Sequence, residues 1–363
     1  MLSNTTLKNT LDGIKAIAGI DLFLFDIDGT VLCQTARPDD RIGTWARDFA
    51  MSEADSQSLS GTWLIKIKDR SAPVYVLAAN GEGDTVETFL KLAAFQIQNM
   101  VSSDKDRFDK DNFLKNVILD NLLQIDIFER SRKFHVENEL RRLVYIINVE
   151  DDSDSIVMDA IRPVYGEGSG GYIFKVDEQH IVYIRNLIEG EDDIVFNSVA
   201  GSILELIRKE CGQEACISYG NPAAELKDLS RSYKEAGLAM DVGRIFYNDL
   251  KIMAYSKLGI GRLIYQLPIT LCRMFINEVF GKNDPNDLDE ETIQTIDQFF
   301  EDSLNISEAS RNLFIHRNTL VYRLDKLEKT LGLNIRNFDD AMTLKLALMV
   351  DTYMDYIEKN HVR

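Results

Sequence analysis

The stretch that decides the architecture is Leu304–Arg336, LNISEASRNLFIHRNTLVYRLDKLEKTLGLNIR. It holds two apolar stripes at helical spacing, separated by a short break. Ile306, Ala309 and Leu313 form the first stripe, and Leu320, Leu324 and Leu327 the second. Asn305 stands where an N-cap belongs and Glu308 follows three residues on, the pattern of a capping box. The break is Phe314 to His316, so the second helix starts near Arg317, and Leu331-Gly332 closes it. Two short helices locked near a right angle, with the small Ala309 at their crossing, form a helix-turn-helix. In that motif the second helix lies in the major groove of double-stranded DNA. The residue types suit the task. Arg317 and Asn318 can make paired hydrogen bonds to base edges. The Thr319 hydroxyl and further cations can hold phosphates and set register. Val321, Tyr322, Arg323, Ser307, Arg311 and Lys326 complete the candidate DNA-binding set.

Working outward, the whole chain has a net charge of −18, which opposes binding to a polyanion. Charge is meaningful per segment, however. Leu304 to Arg336 carries six cations against three anions, and the acidity sits elsewhere, in Glu189 to Asp193 and Asp284 to Glu291. The 363 residues are too many for one ordinary core. No apolar run reaches the length needed to cross a bilayer and Met1 to Ala18 has no signal-peptide core, so a cytoplasmic, non-membrane protein is expected. Cys33, Cys211, Cys216 and Cys272 match no zinc or redox spacing, and the four histidines are scattered. Free thiols, no metal and no cofactor are the expectation.

Upstream, the chain reads as α+β and multidomain. Thr5 to Ala18 has helical spacing, and IDLFLFDIDGTVLCQT places an Asp-Gly pair between two apolar runs, a hairpin signal. Arg37 to Ser60 reads as helix or loop. Strands follow at Thr62 to Lys68 and Pro73 to Ala79, then a helix over Asp84 to Met100. Helix, antiparallel strands and closing helix suggest a sensor domain of the PAS or GAF kind over 1–103. A helical connector spans 104–137. Within 138–283 a strand at Leu143 to Val149, a helix at Ser155 to Val164, and a strand pair at Gly171 to Val176 and Ile181 to Ile184 come first. A helix at Asn197 to Glu210 and a strand at Ala215 to Tyr219 then complete a βαββαβ order, which is ferredoxin-like. A helix over Glu225 to Met240 follows. The all-helical segment 284–363 contains the helix-turn-helix.

The C-terminal segment closely resembles the DNA-binding domain of the PucR and CdaR-like regulators, named for purine catabolism and carbohydrate diacids. The carrying residues are Leu304-Asn305-Ile306-Ser307, Leu313-Phe314-Ile315-His316-Arg317-Asn318-Thr319-Leu320, Tyr322-Arg323-Leu324 and Leu331-Gly332-Leu333. Upstream, SYKEAGLA within Leu226 to Ala239 and the strand Ile217-Ser218-Tyr219-Gly220 resemble the family's degenerate GGDEF-like middle domain. Arg41-Ile42-Gly43-Thr44 resembles a fragment of its sugar-diacid recognition region, while Trp45-Ala46-Arg47 departs from it. The resemblance implies a transcription regulator that answers to a small-molecule effector, with Arg41 and Gly43 as candidate effector contacts. Lys66, Lys68 and Arg70 could also serve an anionic ligand. One helix-turn-helix reads few base pairs, so a homodimer is expected.

Three other signals compete. LFLFDIDGTVL resembles the first motif of haloacid-dehalogenase-type phosphohydrolases, with Asp26 as nucleophile, Asp28 as acid/base and a magnesium ion between them. That alternative needs a doubly wound parallel sheet. A cyclic-dinucleotide cyclase needs a glycine-rich acidic turn, and Val176-Asp177-Glu178-Gln179-His180 has no glycine pair, so no cyclase activity is expected. Glu150 to Asp154 lacks EF-hand spacing and reads as a solvated loop.

Overall fold

The computed structural model describes residues 4–361 apart from 70, 82, 150–153, 178, 282–284, 286 and 287. The chain divides into two compact units, residues 1–114 and 115–363.

The first unit contains α1 (Asn4–Ala18), β1 (Leu22–Asp26), β2 (Val31–Gln34), α2 (Asp40–Ala50), β3 (Ser56–Leu59), β4 (Thr62–Asp69) and β5 (Ala72–Asn80). Helix α3 (Asp84–Ile118) follows, and the division between the units falls within it. The strands form one sheet in the order β2-β1-β5-β4-β3, with every pairing antiparallel. The unbroken apolar run Leu22 to Phe25 is explained by burial on both faces, because successive strand side chains point to opposite sides. Leu22 and Leu24 pack with Leu7 and Leu11 of α1 and Leu90 and Ile97 of α3. Phe23 and Phe25 pack with Ile42, Ala46 and Phe49 of α2.

The Asp-Gly signal is a turn. Asp26 Oδ1 accepts from the amides of Asp28 at 3.0 Å and Thr30 at 2.8 Å. Gly29 has φ +84°, and a Cβ there would lie 2.2 Å from the Gly43 carbonyl oxygen. Both neighbours of β1 run antiparallel to it. The parallel sheet that the phosphohydrolase alternative requires does not hold Asp26 and Asp28, so that reading has no support.

Two differences from the sequence expectation have physical causes. The helix read as Asp84 to Met100 runs on to Ile118, since no glycine or proline interrupts the intervening residues. The polar Ser56–Leu59 pairs as edge strand β3 because β4 offers its free edge, which overrides a weak local preference.

The second unit opens with α4 (Gln124–Lys133), β6 (Arg142–Val149), α5 (Asp154–Tyr165), β7 (Gly171–Lys175), β8 (His180–Asn186), α6 (Asp193–Cys211) and β9 (Ala215–Tyr219). Its sheet order is β10-β9-β6-β8-β7, where β10 (Ile252–Ala254) joins β9 in parallel and all other pairs are antiparallel. Strands β6 to β9 thus have the split-βαβ arrangement expected of the βαββαβ order. One face of the sheet, through Leu143, Tyr145 and Ile147, packs on Val157 and Ile161 of α5 and Phe196, Ala200 and Ile203 of α6.

Helix α7 (Leu229–Phe246) packs on β6 and β9. The approach is close. Ser218 Oγ donates to the Ala236 carbonyl at 2.7 Å, and the Val144 amide donates to Ser232 Oγ at 3.3 Å. A Cβ on Gly220 would sit 2.1 Å from the Ser232 carbonyl oxygen, so the contact needs glycine.

Helices α8 (Gly261–Ile264), α9 (Ile269–Phe280), α10 (Glu290–Glu301), α11 (Ile306–Asn312), α12 (Arg317–Leu331) and α13 (Phe338–His361) complete the unit. Ala341, Leu344 and Ala347 of α13 share a core with α10, α11 and α12. Further along, Val350, Tyr353 and Met354 share another with Ile245 of α7, Ile264 of α8 and Cys272 of α9.

The Gly220 contact generates a test. Gly220→Ala should lower stability by about 1–3 kcal/mol, the usual cost of overpacking a rigid contact. Denaturant unfolding monitored by far-UV circular dichroism would register it, and an unchanged midpoint would mean that α7 can lift off the sheet freely.

Candidate nucleic-acid interface

Asn305 caps α11 as its sequence position implies: its Oδ1 accepts from the amides of Ser307 at 3.1 Å and Glu308 at 3.3 Å. Its Nδ2 lies 3.3 Å from Glu308 Oε2. Helix α11 ends at Leu313, and Phe314 takes φ +56°. The Phe314 amide donates to the Arg311 carbonyl at 3.1 Å and that of Ile315 to Ser310 at 3.0 Å, which closes the turn. His316 then caps α12, with Nδ1 accepting from the Asn318 amide at 3.2 Å. Ala309, Leu320, Leu324 and Leu327 are buried together, while Ile306 and Leu313 pack partly buried against them. These contacts fix α12 on α11.

The outward side of α12 begins with Arg317, Asn318 and Thr319, all exposed. Among the described residues their side chains have no partner. Tyr322, one turn beyond Asn318, is 69% exposed. Val321 is half-buried, and Ser307 and Arg311 on α11 are exposed.

Two of the candidate cations are engaged within the protein. Arg323 donates to Thr295 Oγ1 at 3.1 Å and to Glu291 Oε1, both on α10. Lys326 Nζ lies 3.8 Å from Asp289, the residue that caps α10. Thr292, through its hydroxyl and amide, holds the Asp289 carboxyl below the ordinary aspartate range. Arg336, beyond the end of α12, donates to the Val321 carbonyl at 3.2 Å, to Glu328 at 3.4 Å and to Asp325. Of the six cations in the segment, Arg311, Arg317 and Lys329 have no acidic partner among the described residues. Sequence periodicity placed Arg323 on α12 but carried no signal for its partner, because Glu291 lies 32 residues earlier.

The candidate effector contacts occupy structural positions. Arg41 pairs with Asp39 at 2.9 Å and lies 5.5 Å over the Trp45 ring. Asp39 caps α2, and the Arg41 guanidinium and amide hold its carboxyl down at about 2. A Cβ on Gly43 would meet the Gly29 carbonyl oxygen at 2.8 Å, so Gly43 allows α2 to pack on the β1–β2 turn. Lys66 sits 4.9 Å from the Phe49 ring, and Lys68 pairs with Asp55. Arg70 lies outside the described residues.

Elsewhere, Asp177 Oδ1 accepts from the Gln179 and His180 amides, each at 2.9 Å. Glu178 of that turn and residues 150–153 of the acidic loop lie outside the described residues. All four cysteines are free, and burial pushes the thiols of Cys33, Cys211 and Cys272 up. No cluster of metal-ligating side chains occurs among the described residues. No helix among them is long and apolar enough to cross a membrane.

The geometry defines a helix-turn-helix protein with an α+β body. Comparison with known proteins agrees. Residues 292–350 match the PucR C-terminal helix-turn-helix domain, and residues 121–242 match the GGDEF-like domain. The carbohydrate diacid regulator of Escherichia coli is 23% identical over 77% of this chain and 76% of its own. The purine catabolism regulatory protein of Bacillus subtilis is 29% identical over 36% of this chain, which spans 25% of that relative's length. The proline-responsive transcriptional activator of Bacillus subtilis is 26% identical, covering 62% of this chain and 61% of the relative. The chain thus carries a PucR-type C-terminal helix-turn-helix domain and a GGDEF-like domain, and it is similar to the purine catabolism and carbohydrate diacid regulators.

The Arg323 contact is open to a double-mutant cycle. Arg323→Ala and Glu291→Ala should each destabilise the helical core, with a coupling of about 0.5–1 kcal/mol, the range for a partly exposed pair. Fully additive losses in chemical denaturation would show that the two side chains act separately.

Proposed function

We propose that this chain is a DNA-binding transcriptional regulator that reads an operator with the start of α12 and answers to a small-molecule effector. The observation that carries the reading is the exposure of Arg317, Asn318 and Thr319 on a helix held from behind by Leu320, Leu324 and Leu327. Arg and Asn offer the paired donors and acceptors that base edges require. Ser307, Arg311, Tyr322 and Lys329 flank them as backbone contacts, whereas Arg323 and Lys326 serve first to seat α12 on α10. The names of the three relatives given above, each a regulator or activator, support the same reading.

The antiparallel unit of residues 1–114 is read as a sensor of the PAS or GAF kind, which fits a sheet covered by helices on both faces. A sugar diacid or related metabolite is the proposed effector class, after the name of a relative matched over 77% of this chain. The GGDEF-like domain transmits or dimerises and performs no catalysis. A cytoplasmic homodimer binding two half-sites completes the reading. The effector shifts the population of DNA-competent dimers.

Footprinting on DNA upstream of the protein's own gene, with and without sugar diacids, tests both ends. Arg317→Ala and Asn318→Ala should each weaken specific binding by about 1–3 kcal/mol while leaving the melting temperature unchanged. If both variants keep full operator affinity, α12 is not the reading helix.

A further inference from the structure

Phe314 breaks two local rules at once. Its ring is 95% exposed, so it gains nothing from burial in the chain. Its backbone is left-handed at φ +56°, a conformation that is unfavourable for a residue with a bulky side chain and that glycine or asparagine adopts more readily. Residues on either side are tied down: Leu313 and Ile315 both pack against the helical core. The turn therefore presents the ring outward from a rigid base. Such departures without a gain inside the protein are expected where a partner supplies the gain.

The position says which partner. Phe314 is three residues before Arg317, and its amide bonds to the carbonyl of Arg311. Both of those cations lack an acidic partner among the described residues. An exposed apolar ring that lies in sequence between Arg311 and Arg317, whose guanidinium groups face no carboxylate among the described residues, suits a polyanion whose surface also carries apolar patches. Duplex DNA has one in the major groove, the C5 methyl of thymine, which aromatic side chains such as Phe contact.

We propose that Phe314 is a specificity-determining residue that packs against a thymine methyl at the edge of the site read by α12. The inference rests on the DNA-binding reading above and adds a contact to it. The contact discriminates thymine from the other bases by shape, with no hydrogen bond from the side chain.

The test uses the full-length chain and a duplex selected by it from a random-sequence library. Phe314→Asn relieves the backbone and removes the ring, so its melting temperature should be no lower than that of the parent. Its affinity for the selected duplex should fall about tenfold, the size of a truncated interface aromatic. Replacing each thymine in turn by deoxyuracil removes one methyl. One replacement should weaken the parent about fourfold, the value of one buried methyl group, and should leave Phe314→Asn unaffected.

Three results overturn the proposal. A lowered melting temperature for Phe314→Asn would assign the ring to packing within the protein. Equal deoxyuracil effects on parent and variant would place the contact elsewhere, and a changed oligomeric state with unchanged affinity would assign the ring to a second copy of the chain. Arg317→Ala separates this proposal from the reading beneath it. If Arg317→Ala loses affinity and Phe314→Asn does not, only the Phe314 contact fails. If neither loses affinity, the placement of the interface itself fails.

Discussion

The second unit depends on one helix that belongs to two cores. Helix α13 has 24 residues and is therefore about 36 Å long. Its first half, through Ala341, Leu344 and Ala347, is the floor on which α10, α11 and α12 rest. Its second half, through Val350, Tyr353 and Met354, packs with Ile245 at the end of α7. Tyr353 donates to the Tyr265 carbonyl at 2.9 Å, and Tyr265 donates in turn to Asp241 of α7 at 3.0 Å. Burial among these groups, with Asp241 as the hydrogen-bond partner, raises the Tyr265 phenol well above its ordinary value. The hydroxyl stays protonated and keeps donating. Because packed interiors resist gradual deformation, the helix-turn-helix cannot shift against the GGDEF-like domain without repacking α13 or breaking that chain of bonds.

The same economy governs α12. Its buried stripe sets which side faces outward, but its roll is set by polar contacts at the flanks. Arg323 reaches back to α10, and Arg336 crosses from the following loop to the Val321 carbonyl, Asp325 and Glu328. At the start of α12 the side chains of Arg317, Asn318 and Thr319 are exposed and have no internal partner among the described residues. The residues that seat α12 are thus distinct from the exposed set that the proposed reading gives to DNA.

Much of this was legible in the sequence where local and tertiary demands coincide. The Leu320-Leu324-Leu327 spacing, the Asn305 cap and the Gly332 stop each carry their meaning within a few residues, and α11 and α12 stand where those signals put them. The βαββαβ order was readable for the same reason, since β6 and β9 are apolar enough to announce themselves. Illegible features all depended on distant partners. Ser56–Leu59 is polar and becomes a strand only beside β4. Gly43 hinted at a ligand contact by resemblance, and its neighbour proved to be Gly29. Arg323 was a DNA contact by helical position alone, and Glu291 gives it a second employment. Helical character past Met100 was legible too, but as a separate connector, whereas α3 runs unbroken from Asp84 to Ile118.

The internal pairing of cations bears on the DNA binding proposed for this chain. Affinity for arbitrary duplex comes from phosphate neutralisation and the release of condensed counterions, in proportion to the cations that are free to act. Here three of the six cations in the segment around α12 face carboxylates, and the chain as a whole carries −18. On the DNA-binding reading proposed above, arbitrary duplex would then hold the protein weakly, and preference for an operator would rest on shape and base contacts.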